Sequence, residues 1–183
     1  MTQDFERIAK ACCLTGDFTL KSGRKSNYYI DKYRLIADPA VMGAIVDRLV
    51  DRLPRINRLV AAGQELGGAI LASHVAVKAF TRCILVRKKT KEYGTQNRIE
   101  GIVKAGDQVF LVEDVATTGG SMIDTAQVLG AAGAEVVEAV AVVDRNEGSR
   151  EAFAKANIPY GFLYSAVNLA ACVGIQPHSE GPK

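Results

Sequence analysis

No apolar run in this 183-residue chain approaches the ~18 residues that a membrane-spanning helix needs. The longest rather apolar stretch, Gly67 to Val77, is broken by Ser73 and His74, so no membrane partner is expected. The first residues, MTQDFERIAK, carry acids and lack an apolar core, unlike a secretory signal. Nor does one sign of charge dominate: 23 Lys plus Arg stand against 20 Asp plus Glu, a net +3. That balance excludes a disordered polycation and gives weak footing for a nucleic-acid partner. Cysteine is scarce, and Cys12, Cys13, Cys83 and Cys172 match neither a disulfide framework nor a zinc site. Adjacent Cys12 and Cys13 cannot easily face one metal, and His74 and His178 share no ligand spacing. The expectation is free, mostly buried thiols in a reducing cytoplasm, with no transition-metal centre. Glycine and proline are not periodic, and no linker, repeat or low-complexity stretch occurs.

What the chain has is alternation. Hydrophobic residues make up 48%, and at about 150 residues per domain the length favours a single domain spanning 1–183. Phe5, Ile8, Ala9 and Cys12 lie at helical spacing. Short strands are expected at Phe18 to Leu20 and Tyr28 to Ile30, around the turn-rich Lys21-Ser22-Gly23-Arg24. Asp38-Pro39 marks a helix start, and Pro54 closes that segment. Strands are then expected at Arg58 to Ala62, Cys83 to Arg87, Gln108 to Glu113 and Val136 to Val143, with helices over Ala69 to Phe80 and from Ser121 to about Ala132. The chain is expected to end with a strand near Tyr160 to Tyr164. Near-continuous Val, Ile and Leu runs separated by helices predict an α/β fold, a parallel sheet covered on both faces. Ligands in such sheets bind beyond the carboxyl ends of the strands.

The segment after the third of these strands carries the strongest chemical signal. It reads VFLVEDVATTGGSM, from Val109 to Met122. Two carboxylates, Glu113 and Asp114, stand where the strand ends, and small and hydroxyl residues follow before a helix starts. Small residues let successive backbone N–H groups converge on an anion, and the helix terminus adds partial positive charge. The hydroxyls of Thr117, Thr118 and Ser121 can donate as well, and Ser121 with Asp124 reads as a capping-box-like pair. The loop is neither GxxxxGK[ST] nor GxGxxG. Phosphate donors beside paired carboxylates suit a sugar phosphate, whose cis hydroxyls the carboxylates would accept. The alternative is an acidic pair that merely caps a turn.

The string Val112-Glu113-Asp114-Val115-Ala116-Thr117-Thr118-Gly119-Gly120-Ser121 resembles the phosphoribosyl-pyrophosphate (PRPP) signature of type I phosphoribosyltransferases. The resemblance implies that Glu113 and Asp114 hold the ribose hydroxyls, while Val115, Ala116, Thr117, Thr118, Gly119, Gly120 and Ser121 surround the 5′-phosphate. Three further segments are similar to those of the orotate phosphoribosyltransferases. They are Phe18-Thr19-Leu20-Lys21-Ser22-Gly23-Arg24-Lys25-Ser26 with Tyr28-Tyr29-Ile30-Asp31; Arg87-Lys88-Lys89-Thr90-Lys91-Glu92-Tyr93-Gly94-Thr95 with Ile99-Glu100-Gly101; and Asp144-Arg145-Asn146-Glu147-Gly148.

By that resemblance the fold is a type I phosphoribosyltransferase core at about 36–183, an N-terminal hood at about 1–35 and a mobile lid at about 88–102. The lid has almost no apolar content, as expected of a long polar loop that closes a site. Its cations suit a pyrophosphate leaving group. Arg87, Lys88 and Lys91 are implied to contact PRPP in catalysis together with Asp114, with Lys21 helping at the pyrophosphate and Tyr93 nearby. Thr117 and Arg145 are implied to hold orotate, and a planar guanidinium suits its carboxylate. Tyr28 and Tyr29 offer a stacking wall, although adjacent residues of a strand face opposite ways and one of them could be ordinary core. Gly63-Gln64-Glu65-Leu66-Gly67-Gly68 stands where the family has a pyrophosphate loop, without the lysine that some members carry there. Mg²⁺ held through PRPP, with no direct protein ligand, is the implied cofactor, and a homodimer with the lid acting in trans is the implied assembly. A purine or uracil phosphoribosyltransferase, a PRPP-sensing regulator and a flavodoxin-like binding module are the competing readings.

Overall fold

The computed structural model describes residues 3–20, 23, 25–89 and 97–176. The expectations for Lys21, Lys91 and Tyr93 therefore lie outside the described residues. Helix α1 (Gln3–Cys12) leads into an antiparallel hairpin of β1 (Cys13–Thr19) and β2 (Lys25–Ile30). Helix α2 (Lys32–Ala37) follows, with the Asp31 side chain accepting from Tyr33 N at its start. Helix α3 (Pro39–Asp51) begins as its sequence predicts: Asp38 Oδ1 accepts from Ala40 N and Val41 N at 2.8 and 3.1 Å, and Pro39 needs no donor there.

The main chain then alternates through β3 (Leu59–Gln64), α4 (Gly67–Ala79), β4 (Arg82–Val86), β5 (Ile99–Glu100), β6 (Gln108–Ala116), α5 (Gly120–Ala131), β7 (Glu135–Asp144), α6 (Ser149–Lys155), β8 (Tyr160–Ser165) and α7 (Ala166–Cys172). The six-stranded sheet has the order β5-β4-β3-β6-β7-β8. All its pairings are parallel except β5 on β4. The side-chain period of two divides the strands between two cores. Ala61, Phe110, Val112, Val140 and Val142 face α1, α2, α3, α4 and α7, whereas Val60, Val109, Leu111, Ala139 and Ala141 face α5 and α6. Both sheet faces are therefore covered, which is why β6 and β7 read as continuous apolar runs. At the amino ends of the strands, buried Asp107 pairs with Arg82 at 2.5 Å and accepts from Lys104 N at 2.7 Å.

Several elements correct the sequence-based expectations. Strand β6 runs on through Glu113 and Asp114 to Ala116, because Ala116 still pairs in register with Asp144. The chain continues past β8 into α7, whose Leu169 and Ala170 are buried. Helices α2, α6 and α7 have six or seven residues, too short for a helical period to stand out. Within the expected lid, Ile99 and Glu100 pair with Val86 and Leu85, so these two residues belong to the sheet edge rather than to a loop.

Candidate functional site

The sheet order reverses between β3 and β6. From β3 the chain moves outward to β4, and from β6 it moves the other way to β7 and β8. A crevice opens beyond the carboxyl ends of strands at such a switch point. Here it is a cleft of about 380 Å³ lined by Lys32, Gln64, Glu65, Lys88 and residues 113–122, within the usual range for small-ligand sites.

Its floor is the acidic pair. Asp114 is buried, and its Oδ1 accepts from Val115 N at 2.7 Å. Glu113 is half-buried, with Oε1 accepting from Asp114 N at 3.1 Å. Burial, and then the neighbouring Asp114 charge, push the Glu113 carboxyl up to about 8. Glu113 therefore holds its proton more tightly than a solvent-exposed carboxyl does. Lys32, on the first turn of α2, places Nζ 3.0 Å from Asp114 Oδ2. Burial by itself would lower the Lys32 ammonium, but the Asp114 charge and hydrogen bond outweigh it and hold it above its ordinary value. Sequence reading missed this residue, since nothing local to Asp31-Lys32-Tyr33 links it to Asp114, 82 positions further on.

The glycines after β3 have a packing reason. A Cβ on Gly67 would lie 1.8 Å from Asp114 Oδ2, one on Gly68 would lie 2.8 Å from Val112 O, and one on Gly63 would meet Gly68 O at 1.9 Å. The start of α4 thus presses directly on the acidic pair. The peptide bond between Glu65 and Leu66, in the same loop, is cis.

One wall of the cleft is the phosphate-cradle segment. Thr117 and Thr118 are exposed, and Gly119 adopts φ +78°, where a side chain would be strained and would press on Phe153 at 3.0 Å. Helix α5 then starts with no side-chain cap, so the first-turn N–H groups of Gly120, Ser121 and Met122 have no partner within the helix. The expected capping box does not form. Asp124 instead pairs with Arg98, and the Ser121 hydroxyl donates to Gln64 Oε1. Ser121 therefore offers the cleft its backbone N–H rather than its hydroxyl proton.

Arg145 follows β7, with its N–H donating to Ala116 O at 3.0 Å, so it stands beside the cradle. Its guanidinium is 3.1 Å from Glu147. The turn is built on Asp144, fully buried, which accepts from Asn146 N, Ser149 Oγ and Tyr160 OH at 2.6, 2.7 and 2.8 Å. Lys88 borders the cleft, and its N–H donates to Glu65 Oε1 at 2.9 Å. Arg87 does not line it; the guanidinium is 3.9 Å from Glu100, and the main chain pairs with that of Arg98. Tyr28 packs against the core, whereas Tyr29 faces the other way onto Phe18, with ring centroids 5.5 Å apart. Neither borders the described cleft.

A sheet whose switch-point crevice joins paired carboxylates to an uncapped helix start has the layout of an enzyme of the phosphoribosyltransferase type. The phosphoribosyl transferase domain family matches residues 40–157, from the first turn of α3 to just beyond α6. An orotate phosphoribosyltransferase of Halobacterium salinarum is 44% identical over 154 residues, covering 84% of this chain and 87% of the relative. The crystal structure of orotate phosphoribosyltransferase from Aeropyrum pernix superposes with a TM-score of 0.81 at 31% identity, covering 93% of this chain and 98% of that one. The Mycobacterium tuberculosis H37Rv orotate phosphoribosyltransferase, solved in complex with PRPP, superposes with a TM-score of 0.71 at 27% identity, covering 92% and 96%. The chain belongs to the phosphoribosyltransferase family and, within it, to the orotate phosphoribosyltransferases.

Proposed function

We propose that the cleft binds PRPP and orotate and transfers the 5-phosphoribosyl group to orotate, giving orotidine 5′-phosphate and pyrophosphate, a step of UMP formation. The observation that carries this reading is the convergence in one cleft of the Glu113–Asp114 pair and the Thr117–Ser121 cradle, with the Arg145 turn hydrogen-bonded to the end of the same strand. The acidic pair accepts the ribose hydroxyls, the N–H groups of Gly120 to Met122 take the 5′-phosphate, and Arg145 takes the orotate carboxylate. Thr117 completes the orotate side, with one face of the Tyr28–Tyr29 strand as its stacking wall. The PRPP complex of the M. tuberculosis relative supports the substrate assignment.

The reaction is displacement at the anomeric carbon. The bond to pyrophosphate loosens first, and an orotate nitrogen attacks from the opposite face. The chain's tasks are positioning, electrostatic stabilisation and exclusion of water. Asp114 places negative charge beside the developing cation, while Lys88 and Lys91 of the lid, with Arg87, Lys21 and Tyr93, receive the departing pyrophosphate. Among the described residues no group of three or more His, Cys, Asp or Glu could hold a metal alone. Hard carboxylate oxygens on Glu113 and Asp114 nevertheless suit Mg²⁺ that is bound mainly by substrate oxygens. When present, Mg²⁺ supplies neutralisation of the pyrophosphate charge.

We also infer a cytoplasmic homodimer with the lid acting in trans. All four cysteines are free, and among the described residues no helix is long and apolar enough to cross a membrane. Phe80 is fully exposed, Val77 and Ile102 are largely so, and Val77 borders a groove between α3 and α4; a second subunit would cover such side chains. The main test is turnover: purified protein, PRPP, Mg²⁺ and orotate, followed by orotate absorbance. Consumption of adenine, hypoxanthine or uracil in its place would overturn the orotate assignment. For the assembly, mixed dimers of Lys91→Ala and Asp114→Asn should regain part of the activity; no recovery despite proven subunit exchange would make each site self-contained.

A further inference from the structure

Strand β3 ends on a buried glutamine that the proposed chemistry does not use. Gln64 is 3% exposed, and its side chain crosses to the first turns of α5. Thr125 Oγ1 donates to Ser121 O at 3.0 Å. A carbonyl oxygen only accepts, so the one proton of that hydroxyl is spent. Thr125 Oγ1 must then accept the 3.1 Å contact from Gln64 Nε2. The amide is thereby oriented with Oε1 towards Ser121, whose hydroxyl donates to it. Three hydrogen bonds close a ring between the end of β3 and the start of α5. Thr125 is fully buried, so no water can easily replace a lost member. The next residue faces the other side of the cleft, where Glu65 Oε1 accepts from Lys88 N.

We propose that Gln64 is a positioning residue for the phosphate end of the site. It turns the Ser121 hydroxyl proton inward and holds the first turn of α5 against β3. The unpaired N–H groups of that turn are thereby presented to the cleft as a fixed anion cradle. In this arrangement a phosphate is read by backbone N–H groups, and Ser121 acts through its placement rather than as a hydroxyl donor. The inference rests on the sugar-phosphate reading of the cleft.

Ribose 5-phosphate, which lacks the pyrophosphate, is the probe. Its inhibition constant against PRPP is measured for the wild type, Gln64→Leu, Thr125→Val and Ser121→Ala, with pyrophosphate inhibition and both substrate KM values alongside. Gln64→Leu should weaken ribose 5-phosphate by about tenfold or more, and raise the PRPP KM in step, as expected for a broken buried polar ring. Orotate KM and pyrophosphate inhibition should stay within about twofold of wild type. Thr125→Val, which cuts the ring at its other end, should move the same constants in the same direction and serves if Gln64→Leu does not fold. Unchanged ribose 5-phosphate inhibition in a folded Gln64→Leu protein, with or without a lower Tm, would overturn the proposal. So would a large loss in Ser121→Ala alone, since that result would make the hydroxyl the phosphate donor. A wild-type protein that neither binds ribose 5-phosphate nor consumes orotate would instead overturn the function on which the inference rests.

Discussion

The Lys32 ammonium lies 3.0 Å from Oδ2 of Asp114, bridging the first turn of α2 to the carboxyl end of β6. It is the counter-ion of a buried carboxylate in a cleft that would receive a substrate carrying two phosphate-bearing arms. Without it, the Asp114 carboxylate and the anionic substrate would face one another with no counter-ion between them. Lys32→Met should lower kcat/KM for PRPP by about tenfold or more, about 1.4 kcal/mol, with the loss concentrated in the PRPP constants. Lys32→Arg should recover part of it. Steady-state kinetics with each substrate varied would check this, and an unaltered PRPP KM in Lys32→Met would remove Lys32 from the site.

The raised Glu113 carboxyl has a consequence for stability. Its folded value of about 8 exceeds the ordinary 4.5. The folded protein therefore keeps a proton that the unfolded chain releases at lower pH. The contribution of this group is full below about pH 4.5 and is lost as pH rises through about 8. Melting of the free protein should show a fall in Tm across that window which Glu113→Gln, neutral at every pH, largely removes. Equal slopes in both proteins would refute the assignment.

Glycine positions divide by what surrounds them. Gly67→Ala would bring a Cβ to 1.8 Å from Asp114 Oδ2, and that carboxylate cannot retreat from Val115 N and Lys32. The substitution should destabilise by about 1–3 kcal/mol and abolish most PRPP-dependent turnover. Gly43→Ala, inside α3 with nothing within 4 Å of the added Cβ, should stabilise by about 0.5–1 kcal/mol. Denaturant unfolding of both variants gives the comparison.

The buried Asp144 organises the turn that carries Arg145. Burial, and then the Asp144 acceptor, hold the Tyr160 hydroxyl well above its ordinary value, in keeping with a phenol that donates to a carboxylate. Asp144→Asn should raise the orotate KM by about tenfold, the cost of disrupting a buried charge-assisted acceptor, while leaving the PRPP KM nearly unchanged. Tyr160→Phe should do the same more weakly. Parallel rises in both constants would show a general loss of structure instead.

Much of the site was legible in the chain itself. Val112 to Ser121 shows an apolar strand, two acids, then small and hydroxyl residues before a helix, and each of those signals is local. Asp38-Pro39 likewise announces α3 through a cap and a missing donor. Helices α6 and α7 were not legible, because seven residues barely sample a helical period. The capping reading of Ser121 and Asp124 failed for a different reason. Both side chains found partners distant in sequence, Gln64 and Arg98, which no local pattern announces.

By itself, then, the sequence determined the alternation of strands and helices, the acidic pair and the cradle, because backbone propensity and side-chain period act over a few residues. Tertiary structure decided which groups share the cleft. It brought Lys32 to Asp114, Gln64 to Ser121 and the Arg145 turn to the end of β6, and it made Gly67 a requirement by pressing α4 on the carboxylates. Those relationships come from the strand order at the switch point, and strand order is set by how whole faces bury against one another.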